Sequence, residues 1–360
     1  MNEKIFIQNF GPISNIEIEI KDINIFIGTT SSGKSTVAKL ISVFKSDQLQ
    51  NTPEWFQGSV EERAKYLLQF NRLLFGHNID FPIKSSTFIR YEKNELFYEI
   101  KAGVISSNYS SYHITQNCNP VYIPAERNFF STLSQSIFSL ISSDVSLPKW
   151  LLDFGKKFEK ARREIKLLDV SFLDIKYSFS DGQDIIELKN KETIKLSQGS
   201  SGLQSTIPLM MVIQHLTENI SSIDKEISND LFVVEEPEMN LYPSTQKELL
   251  EFIIRRINRC GDKLIITTHS PYILTALDNL VQAGNIDISD ATSKGLLQKI
   301  VAESLWTNFD TVSCYFFDNG MAKSTLDTEL RSLGPSKIDD VSEKLSSVFD
   351  AILSLKYPSK

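Results

Sequence analysis

The chain has 360 residues, 41% of them hydrophobic and 23% charged, enough for a sizeable core and roughly two domains of ordinary globular protein. Its 38 basic residues stand against 45 acidic ones, a net charge of −7, so the molecule as a whole repels nucleic acid and any such contact needs a local basic patch. No run of about 18 apolar residues occurs, no apolar leader follows the first methionine, and Cys118, Cys260 and Cys314 make neither a C-x-x-C pair nor a disulfide framework. These features predict a cytoplasmic location, reduced thiols and no membrane contact.

The first elements are strands. Ile5-Phe6-Ile7, a turn at Asn9-Phe10-Gly11-Pro12, the period-two run Ile16-Glu17-Ile18-Glu19-Ile20 and the apolar Ile23-Asn24-Ile25-Phe26-Ile27 predict a β-meander. It leads into Gly28-Thr29-Thr30-Ser31-Ser32-Gly33-Lys34-Ser35, which fills every fixed position of the phosphate-loop pattern G-x-x-x-x-G-K-[ST]. The glycines let the backbone curl until successive N–H groups face phosphate oxygens, while Lys34 adds a point charge and Ser35 a hydroxyl for Mg²⁺. Val37, Leu40, Ile41 and Phe44 predict the helix that must leave such a loop. Nucleotide contacts are therefore expected over Gly28 to Thr36.

A helix over 59–74 and a hairpin follow, its strands Thr87 to Tyr91 and Leu96 to Ile100 joined at Lys93-Asn94. A weakly patterned segment leads to Val121-Tyr122-Ile123 and Pro124-Ala125-Glu126-Arg127. Residues 129–168 read as helical and end in Lys156, Lys157, Lys160, Arg162, Arg163 and Lys166 against only Glu159 and Glu164. A solvated amphipathic helix is the first reading of that run, and a phosphate-binding face over 156–166 the second. Strands return at 170–179 and 184–188, joined by the hairpin pair Asp181-Gly182.

Two further stretches carry chemistry. Leu231-Phe232-Val233-Val234 ends in Glu235-Glu236, which puts two carboxylates at the carboxyl end of a buried strand, where α/β sheets hold their ligands. One can help hold Mg²⁺ and the other can orient or deprotonate an attacking water. Leu264-Ile265-Ile266 runs into Thr267-Thr268-His269-Ser270-Pro271, with a helix between the two strands for which Thr245 and Glu248 form a candidate capping box. Gly199-Ser200-Ser201-Gly202-Leu203-Gln204-Ser205 precedes an apolar helical run and offers a second anion site at a helix N-terminus.

Together these motifs resemble the ATP-binding-cassette class of ATPases, in the soluble branch of structural-maintenance-of-chromosomes, RecF-like and overcoming-lysogenisation-defect proteins. The resemblance rests on Asn9-Phe10-Gly11-Pro12-Ile13, GTTSSGKST at 28–36, YIPAER at 122–127, SSGLQS at 200–205, EEPEMNLYP at 235–243 and TTHSPYIL at 267–274. It implies an α/β head with a mixed β-sheet core, an N-terminal antiparallel meander and a helical insertion lobe. The segments expected are 1–123, 124–198, 199–290 and 291–360. It further implies a homodimer, or a higher oligomer, that sandwiches Mg²⁺ and ATP between two heads.

Carried over, Lys34 and the phosphate loop hold the nucleotide, Ser35 and Glu235 the metal, and Glu236 is the catalytic carboxylate. His269 senses the γ-phosphate, and Ser201 and Gly202, with Gln204 beside them, contact the partner's nucleotide. Asn240-Leu241 falls in the loop through which dimers communicate. The usual aspartate is Glu235 here, and Pro124-Ala125-Glu126-Arg127 stands where a lobe-joining glutamine is usual, so Arg127 is a candidate contact to phosphate or partner. The resemblance implies an ATPase that gates a separate effector in anti-phage or prophage biology; a RecF-like clamp binding DNA through 156–166 is the alternative. No D-x-D occurs after Ser270, Asp339 and Asp340 being adjacent, so no Toprim nuclease chemistry is expected of this chain. Thr311 to Phe317 reads as one more strand and Ile338 to Leu355 as a closing amphipathic helix.

Overall fold

The computed structural model describes residues 3–50, 60–108, 120–133, 147–218, 230–286, 291–334 and 346–353. The chain opens with β1 (Glu3–Phe10), β2 (Ile13–Glu19) and β3 (Ile23–Gly28). β2 alternates buried isoleucines with exposed polar residues, as a strand with one solvated face must, whereas all of β3 is buried. Helix α1 (Lys34–Lys45) leaves the phosphate loop and lies against β3 and three later strands. The short α2 (Asp47–Gln50) and α3 (Val60–Gly76) follow.

Next come β4 (Phe88–Lys93), β5 (Leu96–Lys101), β6 (Val104–Ser107) and β7 (Pro120–Ile123). The first hairpin turns at Asn94-Glu95, one residue beyond the pair expected. Asn94 takes the positive φ of 56° that a two-residue turn requires and asparagine tolerates. Beyond α4 (Phe129–Leu133) and α5 (Lys149–Glu164), the strands β8 (Leu168–Val170), β9 (Ile175–Ser180), β10 (Gln183–Glu187) and β11 (Thr193–Lys195) make a small antiparallel sheet. Asp181-Gly182 turns it with both φ values positive.

The last third holds α6 (Ser201–Glu218), β12 (Leu231–Glu235), α7 (Pro243–Cys260), β13 (Lys263–Thr268), α8 (Pro271–Asn285), α9 (Ala291–Ile300), β14 (Val312–Asp318) and β15 (Met321–Ser324). Helix α7 starts at Pro243, so the Thr245–Glu248 capping box does not form. Proline suits the first helical turn, where its missing N–H has no partner to lose.

Among the described residues, eleven strands share one mixed sheet in the order β6-β5-β4-β1-β2-β15-β14-β3-β13-β12-β7. From β14 to β7 the pairing is parallel, and from β6 to β2 antiparallel. The strand expected at 311–317 is β14, and it lies directly beside β3 rather than at an edge. The sheet thus draws on the 1–123, 199–290 and 291–360 segments at once, while α5 and the small sheet fall within 124–198. Residues 346–353 are helical, but Val348, Phe349 and Ile352 are exposed, so this turn does not close the core as expected; 338–345 lie outside the described residues.

Buried Glu3 fastens the far end of this frame. It accepts from Lys45 at 2.7 Å, Lys263 at 3.2 Å and the Tyr91 hydroxyl at 3.0 Å, tying β1 to the end of α1, to β13 and to β4. Burial alone would raise its carboxyl pKa, but the two ammonium groups outweigh it and hold the carboxyl below its ordinary value.

Candidate nucleotide site

The site is built where β3, β13 and β12 end. Gly28 closes β3 at φ 151°, and a Cβ there would sit 2.0 Å from the Phe317 carbonyl oxygen, so only glycine lets β14 come this close. The Phe317 carbonyl accepts from the Thr29 N–H at 3.1 Å, and the Thr29 hydroxyl reaches Asp318 at 3.3 Å. Ser31 at φ 59° and Gly33 at φ 102° continue the curl, which the Ser32 hydroxyl braces by donating to the Thr29 carbonyl at 2.6 Å. Thr30 and Ser31 are exposed, Ser35 is half-buried, and Thr36 is buried within α1.

Lys34 is nearly fully buried. Its ammonium donates to the Gly28 carbonyl at 3.1 Å and the Thr29 carbonyl at 2.7 Å. Burial lowers its pKa to about 8, with Glu236 and Glu238 pulling the other way.

Glu235 pairs in register with Thr267 at the end of β12, and its Oε1 is buried without a hydrogen-bond partner. The same holds for Glu238 Oε2 and Thr267 Oγ1. Tyr122 is buried close to Glu235, and burial with the adjacent carboxylate pushes its phenol well above the usual range. Glu236 sits at φ 42°, a left-handed conformation that glutamate takes only under constraint; its N–H donates to the Thr267 carbonyl at 2.8 Å. Its carboxylate lies 3.7 Å from His269 Nε2.

Glu238 was not singled out by sequence, although the third carboxylate in Glu-Glu-Pro-Glu was the available signal. Its Oε1 accepts from the Thr268 hydroxyl at 2.7 Å and the His269 N–H at 2.8 Å, locking the end of β13 to the loop after β12.

An orphaned carboxylate oxygen on Glu235 and a hydroxyl on Ser35 are hard oxygen donors that suit Mg²⁺, which takes few protein ligands and completes its shell with water and phosphate. Among the described residues no three or more His, Cys, Asp or Glu side chains converge as a metal cage.

Arg127, the candidate contact to phosphate or partner, has its guanidinium turned to backbone carbonyls. It is fully buried, and all five guanidinium N–H groups donate to backbone carbonyls: Ser205 at 3.0 Å, Pro124 at 3.0 Å, Glu235 at 2.7 Å, Glu236 at 2.9 Å and Pro237 at 3.4 Å. Burial lowers its pKa to about 10 against the pull of Glu238, Glu236, Glu235 and Glu126, which leaves it charged at neutral pH.

Ser201 is exposed at the start of α6, and Gly202 packs so closely on the Asn240 carbonyl that a Cβ would meet it at 2.8 Å. Gln204 donates to the Ser197 carbonyl at 3.2 Å and the Gly199 carbonyl at 2.9 Å, and accepts from the Thr132 hydroxyl at 3.1 Å. Its amide therefore holds the loop before α6. The structure thus brings Lys34, Glu235, Glu236 and His269 together at the carboxyl ends of β3, β12 and β13. Ser201 and Gly202 belong with the loop 236–241, while β7, whose end leads to Arg127, lies three strand spacings, about 14 Å, from β3.

A phosphate loop on a parallel sheet with paired carboxylates two strands away defines a P-loop nucleotide-binding protein. The chain belongs to the AAA ATPase domain family, whose family model matches residues 1–166 and 140–274. Among solved structures it is similar to the SMC head domain from Thermotoga maritima, with 12% identity, 89% of this chain and 97% of that one covered, and a TM-score of 0.40. It is also similar to the recombination mediator protein RecF, at 11% identity over 89% and 98% with a TM-score of 0.40. An ATP-binding cassette of an ABC transporter in its ADP conformation matches at 12% over 90% and 91%, with a TM-score of 0.34. No curated protein sequence matches significantly. Among the described residues no helix is long and apolar enough to cross a membrane.

Proposed function

We propose that this ATPase binds Mg²⁺ and ATP on Gly28 to Thr36 and hydrolyses the nucleotide between two heads. We further propose that head dimerisation gates a separate effector, in the anti-phage or prophage setting that its motifs suggest. The observation that carries the reading is the convergence of a buried ammonium, an unpartnered carboxylate oxygen and a carboxylate–imidazole pair at the carboxyl ends of neighbouring strands. Lys34 and the loop N–H groups bind phosphate oxygens, and Ser35 with Glu235 holds the metal, whose charge, when bound, offsets that of the phosphates. Glu236 orients the attacking water and accepts its proton, with His269 alongside to hold the carboxylate and meet the γ-phosphate. Ser201, exposed at the start of α6, is offered with the buried Gly202 beside it to the nucleotide of a second copy.

The DNA-clamp alternative has less support in the basic run of α5. Lys156 pairs with Asp153, Lys160 with Glu164 and Arg163 with Glu159, as on a solvated helix, while Arg162 is turned inward to Asp184.

Calorimetry with Mg²⁺ and ATP tests the central claim. Lys34→Ala is expected to keep the fold and to lose affinity about 10- to 150-fold, the range for a charge-assisted contact. Unchanged affinity in a folded variant would remove the phosphate loop from the reading.

A further inference from the structure

The geometry points to Arg127 as the positioning residue that makes the start of α6 and the loop carrying Glu236 move as one body. This inference rests on the ATPase reading and adds to it a residue that touches neither nucleotide nor metal. Its five donors end on three separate stretches of chain: Pro124 before it, Ser205 in the first turns of α6, and Glu235, Glu236 and Pro237 after β12. A planar fork of fixed N–H directions sets the relative position of all the carbonyls it meets, which a flexible ammonium cannot do.

The carbonyls it gathers are those that matter for Glu236. Glu236 is held at φ 42°, and a residue in that region persists only where its surroundings over-determine it. Here the constraints are the N–H bond to Thr267 at one side of the residue, the Arg127 bond to its own carbonyl at the other, and the Met239 N–H at 3.1 Å to the same carbonyl. On the other side of the guanidinium, Ser205 lies one turn beyond Ser201. The close seat of Gly202 on Asn240 joins the same helix to the same loop a second time. A displacement of α6 therefore acts on the Glu236 backbone through two connections, one of them a single buried side chain. Gln204 and Ser131 extend the connection, the Ser131 hydroxyl donating to the Gln204 carbonyl at 2.7 Å just outside the Arg127 cluster.

The phosphate loop is not among these contacts. Lys34 bonds to its own loop, and Thr29 is braced by β14. Loss of Arg127 should then separate two properties that a general loss of structure would lower together.

The test uses Arg127→Lys and Arg127→Met in the full chain. The expected result for the lysine variant is ADP affinity by calorimetry and KM for ATP within about twofold of the parent, with kcat lowered about 10- to 100-fold, the span outer partners command at other sites. Methionine, with no donors, should fall further. Hydrogen exchange supplies a readout independent of turnover: amides of 201–206 and 236–241 should exchange faster together, while those of 34–45 keep their parent rates. If the methionine variant fails to fold, the lysine variant alone decides.

A folded lysine variant with parent kcat and parent exchange overturns the inference. So does parallel loss of ADP affinity, kcat and thermal stability, which would make Arg127 a packing residue only. Absence of ATP turnover and ADP binding in the parent protein would instead sink the ATPase reading itself, so the two failures are distinguishable.

Discussion

Lys34 combines two features that set its behaviour with pH. Its ammonium already donates to two loop carbonyls, and burial brings its pKa down to about 8, so near neutrality it is charged with little margin. A phosphate oxygen favours the charged amine, which means that nucleotide binding raises this pKa. The sign follows directly: between the free value near 8 and the higher bound value, binding takes up a proton, and affinity declines as pH climbs above 8. Calorimetry of ADP binding in buffers of different ionisation enthalpy should find a fraction of a proton taken up at pH 8, more than at pH 7, and none in Lys34→Ala. Equal uptake in that variant would assign the proton to another group.

At this scale the sequence disclosed residues whose chemistry is local. Gly28, Gly33, Lys34 and Ser35 stand at the fixed positions of one short loop pattern, so spacing alone singles them out as candidate nucleotide contacts. Arg127 and Glu238 were not legible in the same way. The partners of Arg127 lie 78 to 110 residues away at Ser205 and Glu235 to Pro237, and what it does depends on which carbonyls the fold turns toward it. Gln204 illustrates the converse: a side chain placed in a recognisable motif is engaged by its neighbours Ser197, Gly199 and Thr132.

Among the elements, α5 separates charge that is counted from charge that is available. Its run of lysines and arginines reads as a basic face, yet Arg162 lies with its side chain 10% exposed, 2.9 Å from Asp184, with its guanidinium 4.4 Å from the Phe179 ring centre. Asp184 also accepts from the Tyr177 hydroxyl at 2.6 Å, and burial raises its carboxyl pKa despite those partners. Arg162→Ala leaves a buried carboxylate without its cation and should cost about 3–5 kcal/mol. Lys156→Ala and Lys160→Ala, which remove exposed pairs, should stay within about 0.5 kcal/mol. Urea denaturation of the three variants checks the contrast, and a small effect for Arg162 would show that the cluster is not held by that cation. The helical pattern expected over 129–168 contains α5, which runs Lys149–Glu164 and buries Trp150, Leu151, Phe154 and Phe158. Periodicity could not find which cations face the small sheet, because β9 and β10 supply the partners. The start of α7 shows the same limit, since Pro243 and Thr245 each offer a helix beginning and only the preceding loop decides between them.

Across the whole molecule, the sheet order explains why the nucleotide machinery is divided. β14 and β15 return from the end of the chain to lie between β3 and β2, bracing the phosphate loop from one side, while β13 and β12 bring the acidic pair and His269 from the other. The start of α6 is fastened farther out, through Arg127 at the end of β7 and Gly202 on Asn240. The apolar runs at 23–27, 231–234 and 264–266 marked buried strands, but the insertion of β14 beside β3 was not legible, since strand composition carries no neighbour order. Ser201 at an exposed helix start is therefore free to meet a surface on a second copy, and the proposed dimer makes two linked expectations. Glu236→Gln, which keeps the phosphate loop but cannot take up the water's proton, should slow turnover by about 10²- to 10⁴-fold and accumulate dimers with ATP in sedimentation velocity. Lys34→Ala should remain monomeric under the same conditions. Lys34→Ala and Ser201→Arg, each inactive alone, should recover turnover when mixed, because one of the two shared sites then combines an intact phosphate loop with an intact Ser201. Confirmed mixed dimers with no recovered turnover would place Ser201 and Lys34 in the same copy's site, and the arrangement across two chains would have to be abandoned.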